Sequence, residues 1–206
     1  ALALLAPLLT SMAASMLVAA FSSGFAALYP LGVLATAAAL WRFRGRYRSF
    51  DRNVSWQAIA IGVAVFVLWL MLVPSDAESG GILAGRLAEM PVWLAAAWLA
   101  CRVIGSVVTV PLAEELAFRG YLLRKLVARD FENVRPGQFT WLSFLVSSLL
   151  FGLLHDSWVA GTLAGAGFAI ALYRRGQVFD AIVAHVTSNA LIAVAVLAFG
   201  AWGLWA

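Results

Sequence analysis

The sequence predicts an all-α membrane protein, a polytopic bundle of about seven or eight transmembrane helices forming one domain over residues 1–206. Composition is the first observation, because the chain is 64% hydrophobic and 12% charged, whereas soluble domains have about 45–50% apolar and about 25% charged residues. The second observation is a series of long apolar stretches, and the third is the clustering of arginines between them. Open β structure is disfavoured, since an unpaired backbone cannot lie against lipid.

Seven stretches approach the roughly 20 apolar residues that a spanning helix needs. They are residues 2–21, 24–41, 56–73, 92–110, 139–155, 157–173 and 178–200. A turn at Ser22-Ser23-Gly24 separates the first two stretches, and a more polar helical stretch from Leu112 to about Ala128 follows the fourth. An eighth helix, short or re-entrant, is compatible with this pattern. Tryptophans near the helix ends, Trp205 among them, are predicted to be anchors at the membrane interface.

Basic residues concentrate in three of the predicted loops. Residues 42–52 contain five arginines, residues 124–135 contain four basic side chains, and Arg174 and Arg175 form the third basic point. Because basic loops stay on the cytoplasmic side, seven crossings with a cytoplasmic N-terminus satisfy all three placements. The loop at 74–90 is acidic in balance and falls outside. These clusters indicate topology in a lipid bilayer and not a surface for nucleic acid.

Three groups of polar residues interrupt the apolar stretches. They are Glu114 and Glu115 with Arg119, then Phe151 with His155, and finally His185 with Asn189. Ionisable side chains within the membrane cost several kcal/mol by insertion scales and usually indicate function. The bundle interior is the only place where these side chains avoid lipid, so we expect them to share one polar site.

Spacing predicts how each group is arranged. Glu115 and Arg119 are four residues apart and share a helix face, so they can form an ion pair. Glu114 points about 100° away and is free to face another helix. The structural alternative for Glu115 is a simple supporting pair, and for a lone buried histidine it is a hydrogen-bonded packing residue. Two histidines with a glutamate and an asparagine together favour a functional site.

Distance along the helices gives a further test. Glu114 lies ten residues before Arg124, and His185 lies ten residues after Arg175, about 15 Å in each case at 1.5 Å per residue. His155 lies sixteen residues after Phe139, about 24 Å if the helix begins there. The first two depths agree, and the third requires a later helix start or a tilt.

In sequence order the three motifs are Glu-Glu-x-x-x-Arg from Glu114, Phe-x-x-x-His from Phe151 and His-x-x-x-Asn from His185. Together they resemble those of the CPBP family, the CAAX-protease and bacteriocin-processing group that includes type II CAAX prenyl endopeptidases. The resemblance covers residues 110–190, and the stretch from Glu114 to Asn189 is also similar to CAAX-protease-related proteins that accompany bacterial exosortase systems. It implies hydrolysis of a peptide bond within the membrane.

The resemblance also implies roles for individual residues. Glu114 is the expected general base that activates water, and His155 positions that water or binds a metal. His185 and Asn189 stabilise the oxyanion or complete a metal site. Glu115 and Arg119 brace the first motif, with Phe151 as a further supporting residue.

Two mechanisms remain open. In one, His155, His185 and Glu114 hold Zn²⁺, as two histidines and a glutamate do in some zinc hydrolases. In the other, no cofactor is present, and Glu114 and His155 polarise water directly. The chain lacks the His-Glu-x-x-His pattern typical of zinc proteases. Asn189 is a poor zinc ligand and a good oxyanion donor, which favours the mechanism without metal.

Other functions remain compatible with the sequence. A non-catalytic immunity or scaffold protein would keep the helices without needing the polar residues. A small proton-coupled transporter would use the buried acids and histidines as a relay. For a protease, the expected partner is a membrane-associated or hydrophobic peptide or protein, and the expected location is the bacterial inner membrane. Oligomeric state is not indicated by the sequence.

Overall fold

A computed structural model describes residues 1–21, 26–48, 50, 52–74 and 76–205. These residues form eight α-helices, and no strand occurs among them. The helices are α1 (Leu2–Ala20), α2 (Tyr29–Phe43), α3 (Trp56–Leu72), α4 (Ala77–Ala88), α5 (Val92–Val127), α6 (Trp141–Gly152), α7 (Trp158–Arg175) and α8 (Val178–Phe199). The predicted all-α membrane helix bundle is therefore confirmed. The turn expected at residues 22–24 lies outside the described residues.

Helix length separates the helices into two groups. Three of the described helices, α1, α5 and α8, are each long and apolar enough to cross a membrane. A fourth crossing is added if α3 and α4, which are bent by 109° relative to each other, form one span. The short α4 takes the place of the eighth helix that the sequence allows. A helix as short as α6, with 12 residues, extends only about 18 Å, less than the roughly 30 Å hydrocarbon core.

The long helix α5 joins two stretches that the sequence analysis separates. It runs for 36 residues from Val92 to Val127 and continues through Pro111, which lacks the N–H needed for a regular helix. A π-helical segment, Gly105–Thr109, lies just before the proline, and a second, Leu116–Leu122, follows the glutamate pair. Such wide turns are frequent at functional sites, and here they flank Glu114 and Glu115.

Local sequence sets the ends of several helices. The hydroxyl of Ser55 accepts a hydrogen bond from the backbone of Ala58 at the start of α3, and Thr140 caps α6 in the same way through Ser143. Helices α7 and α8 end at Gly176 and Gly200, both in the left-handed conformation with φ of 67° and 71°. Glycine adopts that conformation without the steric cost that a side chain would add.

Helices α3, α7 and α8 pack against one another, and α8 also packs against the middle of α5. A Cβ atom on Gly62 of α3 would clash with the carbonyl of Ala184 on α8, so glycine is needed for this approach. Gly161 and Gly165 of α7 are buried and face Gly152 and Phe151 of α6, as their four-residue spacing predicts. The three motifs are thereby held in one region of the bundle.

Candidate active site

Three helices carry the residues of the three motifs. Glu114, Glu115 and Arg119 lie in the middle of α5 and are buried. Phe151 is at the end of α6, while His155 follows that helix, which ends at Gly152. His185 and Asn189 lie one turn apart on α8. The predicted depth of about 24 Å for His155 assumed a helix from Phe139 to residue 155. The helix instead begins at Trp141 and ends at Gly152, so both assumed helix ends were wrong.

One cavity brings the candidate catalytic residues together. It has a volume of about 240 Å³ and is lined by Glu114, His155, His185 and Asn189, with Phe151 beside them. Glu115 and Arg119 do not line it. The two members of the glutamate pair therefore face different surroundings, as their separation around the helix predicts.

Glu115 connects two of the motifs. Its Oε2 lies 3.1 Å from Nε of Arg119, so the ion pair that the four-residue spacing predicts is formed. Its Oε1 lies 3.0 Å from Nδ1 of His185 on α8. Arg119 also donates a short hydrogen bond to the carbonyl of Gly165 on α7. Glu115 is fully buried. Through these two contacts it links α5 to α8 in addition to pairing with Arg119 on α5.

The contacts of His185 define the tautomer of its neutral ring. A carboxylate oxygen can only accept, so Nδ1 of His185 donates to Glu115. In the neutral ring Nε2 then carries the lone pair, and it lies 3.9 Å from Oε2 of Glu114. The ring of Phe168 stacks on the imidazole with centroids 4.4 Å apart. His185 is thus fixed in tautomer and in orientation at the cavity wall.

The second histidine is oriented in a similar way. Nδ1 of His155 lies 3.0 Å from the carbonyl of Phe151, and because a carbonyl only accepts, that nitrogen carries the proton. Nε2 is left as the acceptor. The imidazole packs edge-on to Trp69, with centroids 5.8 Å apart, and against Phe151 at 5.1 Å. A neutral His155 can therefore accept a hydrogen bond from a water molecule.

The acid of the cavity is Glu114. Its Oε2 atom is buried and has no hydrogen-bond partner among the described residues. The 3.9 Å separation from Nε2 of His185 is too long for a direct hydrogen bond, and a polar gap of this kind can be bridged by water. Glu114 therefore contributes to the lining of the cavity a carboxylate oxygen without a hydrogen-bond partner in the described part of the chain.

Asn189 is held by the first π-helical segment of α5. Its Nδ2 donates to the carbonyl of Ser106 at 2.8 Å, which fixes the side-chain amide. The amide nitrogen has a second N–H, which remains for a group bound in the cavity. The predicted pairing of His185 and Asn189 on one cavity wall is present, since both line it.

Several residues of the cavity were not predicted from the sequence. Arg102 and Trp69 line it, and so does Trp205, which is buried and does not face the membrane interface as expected. Arg102 interrupts an apolar stretch, which is itself the signal of a functional residue in a membrane helix. Trp205 gives no such signal, because a tryptophan near a helix end is typical of interface anchors.

A metal centre is not assembled by these side chains. Among the described residues, no group of three His, Cys, Asp or Glu side chains is placed to hold a metal ion. The set of His155, His185 and Glu114 does not form a ligand group in this arrangement, so we derive no step through a metal.

A model of one known family matches the part of the chain that carries the three motifs. Residues 96–191 match the family model described as type II CAAX prenyl endopeptidase Rce1-like, a region that contains all three motifs. The match confirms the resemblance to the CPBP family of CAAX proteases. It supports an integral membrane protein that is, in general terms, a CAAX intramembrane endopeptidase. Searches of curated proteins and of solved structures found no match.

Proposed function

We propose that this protein hydrolyses a peptide bond of a membrane-associated or hydrophobic substrate, using water activated by Glu114. The observation that carries the proposal is the convergence of Glu114, His155, His185 and Asn189 on one cavity inside a membrane helix bundle. The proposed reaction uses groups that line this cavity. They are a carboxylate oxygen that has no hydrogen-bond partner within the described residues, two oriented imidazoles and a fixed side-chain amide.

The proposed reaction begins with a water molecule between Glu114 and His155. Glu114 takes a proton from this water as its oxygen attacks the carbonyl carbon, and it later gives that proton to the leaving amine. Asn189 donates its second N–H to the oxyanion of the tetrahedral intermediate. The Glu115 carboxylate accepts Nδ1–H of His185 and fixes the tautomer and orientation of the ring at the cavity wall, as a buried carboxylate does in catalytic triads.

Two substitutions test this assignment. Glu114→Ala and His155→Ala are each expected to abolish cleavage of hydrophobic peptides by protein reconstituted in liposomes, while membrane insertion and helical content are retained. Glu78→Ala is the matched control, since Glu78 is an exposed glutamate on α4, and we expect it to retain activity. Full cleavage by both cavity variants would disprove the catalytic roles.

The need for a metal is decided by a separate measurement. We propose the mechanism in which Glu114 and His155 act on water directly, and we expect purified active protein to contain less than stoichiometric zinc by elemental analysis. Activity should then survive dialysis against a chelator. Loss of activity on chelation, with recovery on adding Zn²⁺, would assign the water-activating role to a metal held by His155, His185 and Glu114.

Location and orientation belong to the same proposal. The basic loops favour a bacterial inner-membrane protein whose N-terminus is cytoplasmic. A site about 15 Å from Arg124 along α5 would then receive its substrate near the cytoplasmic face. A peptide or protein in the bilayer is the expected partner.

A further inference from the structure

A second polar group of the cavity, Arg102, is not used by the proposed mechanism. It lies on α5 twelve residues before Glu114, about 18 Å along the helix, and it lines the same cavity. A cation in an apolar helix of a membrane protein is costly and usually serves binding or transport. Its contacts indicate what it binds.

Arg102 holds a backbone carbonyl of its own chain. Its Nη2 donates to the carbonyl of Trp205 at 2.7 Å, and the guanidinium carbon lies 5.6 Å from the centre of the Trp205 ring. On another side it lies 4.7 Å from the ring of Tyr29. Nε of Arg102 is buried and has no hydrogen-bond partner among the described residues. The carbonyl of Trp205 is thus the peptide group that the guanidinium binds at the cavity.

Residues 201–205 place a peptide segment in the cavity. They follow α8, and a short 3₁₀ turn, Trp202–Leu204, directs the chain back toward α5. Leu204 and Trp205 line the cavity with the candidate catalytic residues, and Trp205 packs against Ala193 and Val196 of α8. Two residues of an apolar peptide segment thus line the same cavity as the groups proposed to hydrolyse a peptide.

We propose that Arg102 binds a backbone carbonyl of the peptide substrate at the place now taken by Trp205, and that residues 201–205 withdraw when substrate binds. This inference rests on the proposed function for the identity of the ligand as a peptide. Arg102 is in this view a positioning residue. In the protein without substrate, residues 201–205 occupy the binding place at Arg102, and they compete with substrate for it.

The contact between α4 and this segment gives a way to displace it. A Cβ atom on Gly80 would lie 2.5 Å from the backbone nitrogen of Gly203 and 2.9 Å from the carbonyl carbon of Trp202. These are backbone atoms, so in Gly80→Ala the segment and α4 must move apart. The neighbouring Gly81 has nothing within 4 Å of its Cβ position. Gly81→Ala is therefore a matched control on the same helix.

The test uses a fluorescently labelled peptide with the sequence of residues 200–205, Gly-Ala-Trp-Gly-Leu-Trp, as its C-terminal amide. Its binding to detergent-solubilised protein is measured by fluorescence anisotropy. We expect Gly80→Ala to bind it several-fold more tightly than the wild type, and Gly81→Ala to bind it as the wild type does. Adding Arg102→Gln to Gly80→Ala should weaken binding about tenfold or more, as expected for loss of a hydrogen bond to a charged group.

Further variants separate this proposal from a purely structural role. Arg102→Lys in the Gly80→Ala background should restore part of the binding, because the ammonium group still donates to a carbonyl. If Gly80→Ala fails to fold, Trp205→Ala provides a second way to vacate the place and should give the same increase. Equal binding by the Gly80→Ala and Gly81→Ala proteins, or binding that Arg102→Gln leaves unchanged, would overturn the inference.

Binding and cleavage also distinguish this inference from the proposed function. Arg102-dependent binding with no hydrolysis of any hydrophobic peptide would leave the inference standing and remove the proposed protease activity. Hydrolysis that depends on Glu114, with no Arg102-dependent binding, would support the proposed protease activity and overturn this inference.

Discussion

At the scale of the residue, Glu115 determines how the three motifs work together. It pairs with Arg119 on its own helix and receives Nδ1–H of His185 from α8. The first contact follows from a four-residue spacing and is predictable from sequence. The second joins residues 70 positions apart, and no local pattern indicates it. The structural role of Glu115 beside Arg119 is therefore predictable from the sequence, and its link to His185 is not.

A pair of substitutions separates these two roles. Glu115→Leu alone leaves Arg119 buried without a counter-ion, and we expect a loss of about 3–5 kcal/mol in the free energy of unfolding. Glu115→Leu with Arg119→Met removes both charges and should recover most of that stability. Proteolytic activity should remain low in the double variant, because His185 has lost the carboxylate that fixes the tautomer and orientation of its ring.

The measurements are thermal unfolding in detergent and peptide cleavage in liposomes. Recovery of both stability and activity by the double variant would show that Glu115 is a structural residue only. Recovery of stability alone supports its action through His185.

At the scale of the element, close contact between helices places the site. Helix α3 carries none of the three motifs, yet Gly62 allows it to lie directly against α8 beside Ala184, the residue before His185. The side chains of Val65 and Trp69 on the same helix line the cavity. Helix α3 thus forms part of the cavity wall without contributing a candidate catalytic group.

Replacing Gly62 should disturb the site through packing. A Cβ atom there would meet the carbonyl of Ala184 and lie 2.7 Å from Cβ of Thr187, so α3 and α8 must separate. Overpacking of this kind typically costs about 1–3 kcal/mol, and a shift of α8 would also move His185. We expect Gly62→Ala to lower both the unfolding temperature and kcat.

The control for this prediction is Ala64→Val, which adds volume on the exposed side of α3. It should change neither the unfolding temperature nor kcat appreciably. Wild-type kcat in Gly62→Ala would mean that the position of α8 tolerates this separation and that α3 is not needed to place His185.

At the scale of the whole molecule, hydropathy predicts the helices better than the crossings. Composition and apolar periodicity correctly predict an all-α bundle, and most helix limits agree within a few residues. The fusion of two stretches into α5 was not predicted, because Pro111 normally ends a helix and the π-helical segment before it has no recognised sequence pattern. The packing of residues 201–205 into the cavity depends on tertiary contacts that hydropathy does not describe.

Orientation in the membrane is the remaining whole-molecule prediction, and it depends on the bend between α3 and α4. The positive-inside rule places the arginine-rich loop around Arg46 in the cytoplasm and residues 74–90 outside. After replacement of Cys101, the single cysteine of the chain, by alanine, we introduce Arg46→Cys or Glu78→Cys. Both positions are exposed. A membrane-impermeant maleimide should then label Arg46→Cys only in inverted vesicles and Glu78→Cys only in right-side-out vesicles.

Labelling of both cysteines from one side would contradict this topology. In that case α3 and α4 would form a re-entrant pair, and the apolar length of α3 would not correspond to a crossing. The cavity would then be reached from the side on which α4 and residues 201–205 lie. The same vesicles would test this route of access. A substrate peptide added outside the vesicles would be cleaved only in the orientation that exposes the side with α4 and residues 201–205.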